Sequence, residues 1–154
     1  MKIFVSSLIS GFEGFRDAAR SAIRTLRHEP VMAEDFGARP DSPQIACLQE
    51  VRDTDVVVLI LGAQYGAVQG TSGLSPTHEE FREARDRKPE LVFVQEGVQR
   101  ELQQDAFVTE VQEWQRGYFP GKLDRIRHRP AFQRWFDIGE SVAKINVVRI
   151  FGFS

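Results

Sequence analysis

Cysteine is almost missing from this chain. Cys47 is the one thiol in 154 residues, which excludes an internal disulfide and a cysteine-cluster metal site. Its expected place is that of a small buried hydrophobe on a helix. An excess of one charge is missing too. The formal net charge of −2 leaves no basic footprint of the kind that grips nucleic acid. No apolar run approaches the roughly 18 residues of a membrane helix, and no signal peptide precedes the first apolar segment. The expectations are therefore no nucleic acid, no membrane and a cytoplasmic location. The run Gly62-Ala63-Gln64-Tyr65-Gly66 lacks the Lys-Ser/Thr that would make it a phosphate loop, so ATP hydrolysis has no support. His28 and His128 have no ligands at metal spacing, and no metal site is expected. Internal repeats and low-complexity segments are absent as well.

What is present suits one compact α/β domain over residues 1–154. The strongest signal is the continuous apolar run Val56–Leu61, closed by Gly62, which reads as a strand buried on both faces. Further strands are expected at 3–6, 30–33 and 91–95. Helices are expected at 12–27, with Phe15, Ala18, Ala19, Ala22, Ile23 and Leu26 at helical spacing, and at 44–52, burying Ile45, Leu48 and Val51. Two more follow at 77–87 and at 100–115, the latter with Leu102, Phe107, Val111 and Trp114 as its apolar stripe. Ser75 or Thr77 caps the third helix, with acids in its first turn. Beyond it lie a basic, turn-rich stretch at 118–132, a short strand near 124–127, a helix at 134–146 and a terminal strand. The apolar end, with Phe151 and Phe153, suits a piece of a longer protein or an end that docks on a partner.

Strands alternating with helices imply right-handed crossovers and a mainly parallel sheet. The expected architecture is a flavodoxin-like three-layer sandwich with five strands in the order 2-1-3-4-5. Its topological switch point, where ligands bind in such sheets, lies between strands one and three. That topology gathers Ser6, Ser7, Gly62, Tyr65, Gly66 and Glu80 around one cleft, with Ser75 and Thr77 at the head of the helix that carries Glu80.

Six blocks in order then carry a resemblance. They are Lys-Ile-Phe-Val-Ser-Ser from Lys2, Glu-Asp-Phe-Gly-Ala from Glu34, Cys-Leu-Gln-Glu-Val from Cys47, Asp-Thr-Asp from Asp53, Leu-Gly-Ala-Gln-Tyr-Gly from Leu61, and Leu-Ser-Pro-Thr-His-Glu-Glu-Phe from Leu74. Over residues 2–95 the chain resembles the domain of unknown function 4062, a TIR-like module, with 96–154 as its helical completion. The family's usual block has a glutamate where this chain has His78 and a tyrosine where it has Phe81; Arg16 is kept, while Gly11 and Phe15 stand where acids are usual. The resemblance implies the N-terminal part of a larger prokaryotic defence or stress-response protein. It also implies self-association or contact with the parent protein's other domains. The related TIR and nucleoside deoxyribosyltransferase folds cleave N-glycosidic bonds with a glutamate on the helix after strand three, and Glu80 is the matching position.

The implied ligand is a nucleotide, with NAD as substrate and no cofactor. Glu80 would steady the oxocarbenium-like ribose that forms as nicotinamide leaves. Ser6 and Ser7 would bind phosphate or ribose, Tyr65 would cover a base, and Gly62 and Gly66 would allow close backbone approach. Plainer readings stand beside these. Glu79 and Glu80 suit the helix dipole, Ser6 and Ser7 a turn, and Tyr65 a packed loop anchor. His78 is expected to face solvent rather than to shuttle protons, Glu34 and Asp35 to be solvated at the surface rather than to border the cleft, and the cluster Lys122, Arg125, Arg127, His128, Arg129 and Arg134 to be a solvated face first and a partner or phosphate contact second. Two functions remain: a nucleotide N-glycosidase, with deoxyribosyl transfer as its variant, and a non-catalytic assembly module. An open cleft at Glu80 with a raised carboxylate pKa marks the first. A filled or shallow cleft and a large apolar patch mark the second.

Overall fold

A computed structural model describes residues 1–37, 42–118 and 148–151, with side chains up to residue 114. Four strands form a parallel sheet: β1 (Lys2–Ser6), β2 (Glu29–Val31), β3 (Val56–Leu61) and β4 (Glu90–Gln95). Their order is β2-β1-β3-β4. The register pairs Phe4 with Val31 on one side and with Val57 on the other, and Leu59 with Val92. A short strand β5 (Val148–Phe151) lies beside β4 and runs antiparallel to it, unlike the parallel fifth strand of a flavodoxin-like sheet. The short strand expected near 124–127, the helix at 134–146, Phe153 and the basic cluster from Lys122 to Arg134 lie outside the described residues, as does the side chain of Phe151.

Alternation along the strands sorts the core into two faces. Ile3, Val5, Val58 and Ile60 face helix α1 (Glu13–Thr25), where Phe15, Ala19 and Ile23 meet them. Phe4, Val57, Leu59, Leu61, Val92 and Val94 face the other way. There they meet α2 (Pro43–Asp53) through Cys47 and Val51, α3 (Pro76–Ala84) through Phe81 and Ala84, and α4 (Leu102–Tyr118) through Phe107, Val108 and Val111. Phe81 and Phe107 are almost wholly buried, each contributing roughly 2–3 kcal/mol of apolar burial. Trp114 packs edge-on to Phe81, ring centroids 5.6 Å apart.

The helix starts follow local chemistry. Ser42 caps α2 and Ser75 caps α3, each followed by proline at the first helical position. The expected apolar positions Ile45 and Leu102 are corrected, being 55% and 89% exposed. Ile45 lies in the first turn of α2, and Leu102 is the first residue of α4, so both sit off the ends of the buried stripes. After β2 the chain makes a single 3-10 turn, Ala33–Asp35, rather than extending the strand to residue 33. Among the described residues no helix is long and apolar enough to cross a membrane.

Candidate functional site

The sheet's carboxyl edge is where the chain leaves β1 for β2 on one side and returns to β3 on the other. Ser6 ends β1 on the α2–α3 face, and Glu80 sits one turn into α3 above it. The Ser6 hydroxyl donates to Glu80 Oε2 at 2.5 Å. The Cys47 thiol, on α2, also hydrogen-bonds the Glu80 carboxylate. Strand β1 and helices α2 and α3 thus triangulate one carboxyl group that is 5% exposed. Burial pushes the Glu80 pKa up to about 7, against the hydrogen bond from Ser6, the positive charge of Arg16 and the bond from Cys47.

Arg16 is the second buried charge, 2% exposed on α1. Its Nη1 donates to Ser7 Oγ at 2.8 Å and to the Ser7 carbonyl at 3.2 Å. Its Nε donates to Glu34 Oε1 at 3.0 Å and its Nη2 to Glu34 Oε2, a bidentate pair. Arg20 reaches Asp35 at 2.5 Å and Glu34 at 3.4 Å. Glu34 and Asp35 are exposed, as expected, and are also ion-paired to α1. Burial alone would raise the Glu34 pKa, but the Arg16 hydrogen bond and charge leave it lowered. The signal for Arg16 lay in its position, four residues after Phe12 and seven before Ile23, on the stripe that α1 turns to the sheet.

His78 corrects the expectation of a solvent-facing residue: it is 6% exposed and stacks on Phe107, centroids 4.0 Å apart. It lies three residues before Phe81, on the buried face of α3. Tyr65 Oη is 2.7 Å from His78 Nδ1, and His78 Nε2 is 3.0 Å from Glu110 Oε2. Tyr65 Oη also accepts from Ser75 N–H at 3.3 Å, so its own proton goes to Nδ1. One arrangement of protons then satisfies the chain: Tyr65 donates to a neutral imidazole, whose Nε2–H donates to ionised Glu110. Arg82 and Arg85 complete the Glu110 carboxylate at 2.9–3.0 Å. Burial lowers the His78 pKa even with Glu110 beside it. This chain locks the loop after β3 to α3 and α4, and Tyr65 is a packed anchor with 5% exposure rather than an open platform.

The remaining expected site residues converge on the same edge. Ser75 is the α3 cap, accepting from His78 N–H at 3.4 Å. Thr77 is buried and, with Leu8, Phe12, Gly62, Gln64, Tyr65 and Gln104, lines a cavity of about 10 Å³, the room of roughly one water. Gly66 has φ +88, and a Cβ there would lie 2.7 Å from Leu8 Cδ2. A Cβ on Gly62 would overlap the Phe12 ring, with Cε2 at 2.7 Å, and would meet Gln95 Oε1 at 3.0 Å. Both glycines do allow close approach, but what approaches is the β1–α1 loop. Among the described residues no group of three His, Cys, Asp or Glu side chains could hold a metal ion.

The arrangement can hold one carboxyl poised between its charged and neutral forms, beside a positive charge and a narrow apolar crevice. No curated protein matches the chain. A family profile, the domain of unknown function DUF4062, matches residues 2–146. The chain is a member of the DUF4062 family.

Proposed function

We propose that this DUF4062 domain is a flavodoxin-like, TIR-like effector domain that cleaves the N-glycosidic bond of a nucleotide, with NAD as substrate and Glu80 as its carboxylate. The observation that carries this reading is the burial of Glu80 at the switch point, held by Ser6 and Cys47 from two other elements. A carboxylate that only met the helix dipole would stand in water, as the first turn of α3 allows. Holding one out of water costs stability, and such expense is typical of reacting groups.

In the reaction, the bond between ribose C1′ and the nicotinamide nitrogen breaks. Its electron pair neutralises the pyridinium, so the leaving group needs no proton. The ionised Glu80 carboxylate would oppose the positive charge that develops on the ribose. Water then adds at C1′ and gives up a proton, leaving ADP-ribose. Because the working form is ionised, turnover should rise with pH through about 7, the value to which burial pushes Glu80.

A second reading, a non-catalytic assembly module, is favoured by the crevice itself: about 10 Å³ is open beside Gly62. NAD consumption by the purified chain, at high concentration and under forced clustering, separates the two. Activity that falls by at least a hundredfold in Glu80→Gln supports the glycosidase. A folded, clustered wild type without turnover moves the reading to the assembly module.

A further inference from the structure

The crevice beside Gly62 is narrow because one side chain fills it. Phe12 is 8% exposed and lies against the Gly62 backbone so closely that only glycine fits there. Around this ring the described residues supply amide groups. Gln95 Oε1 comes within 3.0 Å of the position a Gly62 Cβ would take, and Gln104 Nε2 donates to the Gly62 carbonyl at 3.1 Å. Thr77 lines the same crevice and stands one helical turn before Glu80, so the two share a side of α3.

The segment that carries Phe12 is fixed at its ends by Arg16, which donates to Ser7 through Nη1 and to the Phe12 carbonyl through its backbone N–H, and is open between them. Phe12 is itself the residue at which α1 starts, and no side chain caps it; phenylalanine lacks the oxygen that makes a good cap. Gly11 before it has φ +79 with open space where a Cβ would stand, and Ile9 is 46% exposed. The turn is closed by Phe12 N–H to the Ile9 carbonyl at 3.1 Å and by Gly11 N–H to Glu13 Oε1 at 3.1 Å. Swinging Phe12 out costs its burial in the cluster that holds Ile3, Val5, Val58 and Ile60, and its stack on Phe15, centroids 5.1 Å apart.

We propose that the place of the Phe12 ring is a binding slot for a planar aromatic ring bearing a carboxamide, of the nicotinamide class, which this domain occupies with its own side chain until a ligand displaces it. The proposal rests on the glycosidase reading for its choice of ring. A six-membered ring replaces the phenyl group at no loss of apolar contact, and apolar slots on the order of 150 Å³ accept such rings. The carboxamide gives Gln95 and Gln104 a partner that phenylalanine lacks. Adding Phe12 to the cost of binding lowers affinity by the population of the open form, so the closed domain is self-inhibited.

The test is nicotinamide binding, followed through the amide resonances of Gly62 and the side-chain amides of Gln95 and Gln104 in the full chain. Phe12→Ala should bind nicotinamide at least tenfold more tightly than wild type, and a second change, Gly62→Val, should abolish that gain. Unchanged affinity in a folded Phe12→Ala protein, or a gain that survives Gly62→Val, overturns the proposal. If alanine prevents folding, Phe12→Leu keeps apolar volume at the helix start and carries the same comparison. If neither variant folds, the wild type decides: saturating nicotinamide either shifts the Phe12 ring resonances, as required, or leaves them unmoved and refutes the slot. None of these readouts needs turnover. Binding without NAD cleavage would therefore retain the slot and reject the glycosidase, and cleavage without binding would do the reverse.

Discussion

At the scale of single residues, Glu80 carries the main energetic tension. Its folded pKa of about 7 stands above the ordinary 4.5, so the folded protein holds a proton that the unfolded chain releases. The stability this proton contributes is complete below about pH 4.5 and is lost as pH rises through 7. By about pH 8 the cost of the buried charge is roughly 3 kcal/mol. Glu80→Gln removes the titration while keeping an oxygen for Ser6. It should raise the melting temperature at pH 8 and change it little at pH 5, as calorimetry at the two values would read. A variant that loses activity and gains alkaline stability would mark a side chain kept for chemistry at a cost to the fold. An equal effect at both pH values would contradict the buried-proton account.

At the scale of elements, α3 concentrates the site. Its cap Ser75, its cavity residue Thr77, its linker His78 and its carboxyl Glu80 lie within six residues. Ser75 is fully buried and accepts from His78 N–H. Ser75→Ala should cost about 1 kcal/mol and lower the melting temperature by about 2–4 °C for a domain of this size, as thermal unfolding followed by circular dichroism would show. Because the cap also lies beside Tyr65 Oη, a much larger loss would mean that the Tyr65–His78–Glu110 chain fails with it. Helix α1 is the contrast. It starts without a side-chain cap and is fastened at its side by Arg16 to Glu34, so its first turn is the part of the site with room to move.

For the molecule as a whole, the shifted carboxyls among the described residues divide into two sets with opposite signs. Glu34, Glu83 and Glu110 have lowered pKa values. For Glu34 and Glu110, burial opposes the shift and the arginine partners outweigh it; for Glu83 the hydrogen bond from Arg52 leads. Their stabilising effect is present above about 4.5 and is lost as pH falls through the lowered values. Glu80 and Glu90 are raised, chiefly by burial, and act in the other direction. Both Glu90 oxygens are buried with no hydrogen-bond partner among the described residues, which suits a protonated carboxyl. His78, whose pKa burial lowers, adds stability as pH rises toward its ordinary 6.5 and offsets part of the loss from Glu80 and Glu90, so stability should peak in mildly acidic solution, between about pH 4.5 and 6.5, and fall on both sides. Urea unfolding across pH 3–9 would show the peak, and a maximum at alkaline pH would contradict it.

Much of this molecule was legible from local pattern. The unbroken apolar run of β3, the Ser-Pro starts of α2 and α3, and the spacing of Phe15, Ala19 and Ile23 each depend on neighbours within a turn or a pleat. Taken with the doubly wound topology that such alternation of strands and helices suggests, they led to the order 2-1-3-4 and to Glu80 at the sheet's carboxyl edge. What local pattern could not carry was every contact between distant segments. Ser6 and Cys47 enclose Glu80 across 74 and 33 positions of chain; Glu110 turns His78 inward from 32 residues away. Phe12 reaches Gly62 from the start of another helix, and β5 joins the edge of β4 in the antiparallel sense. Periodicity says which side of an element is buried. Only the packed chain decides which side chain fills a given space, because that choice is made by shape and charge on elements the sequence keeps far apart.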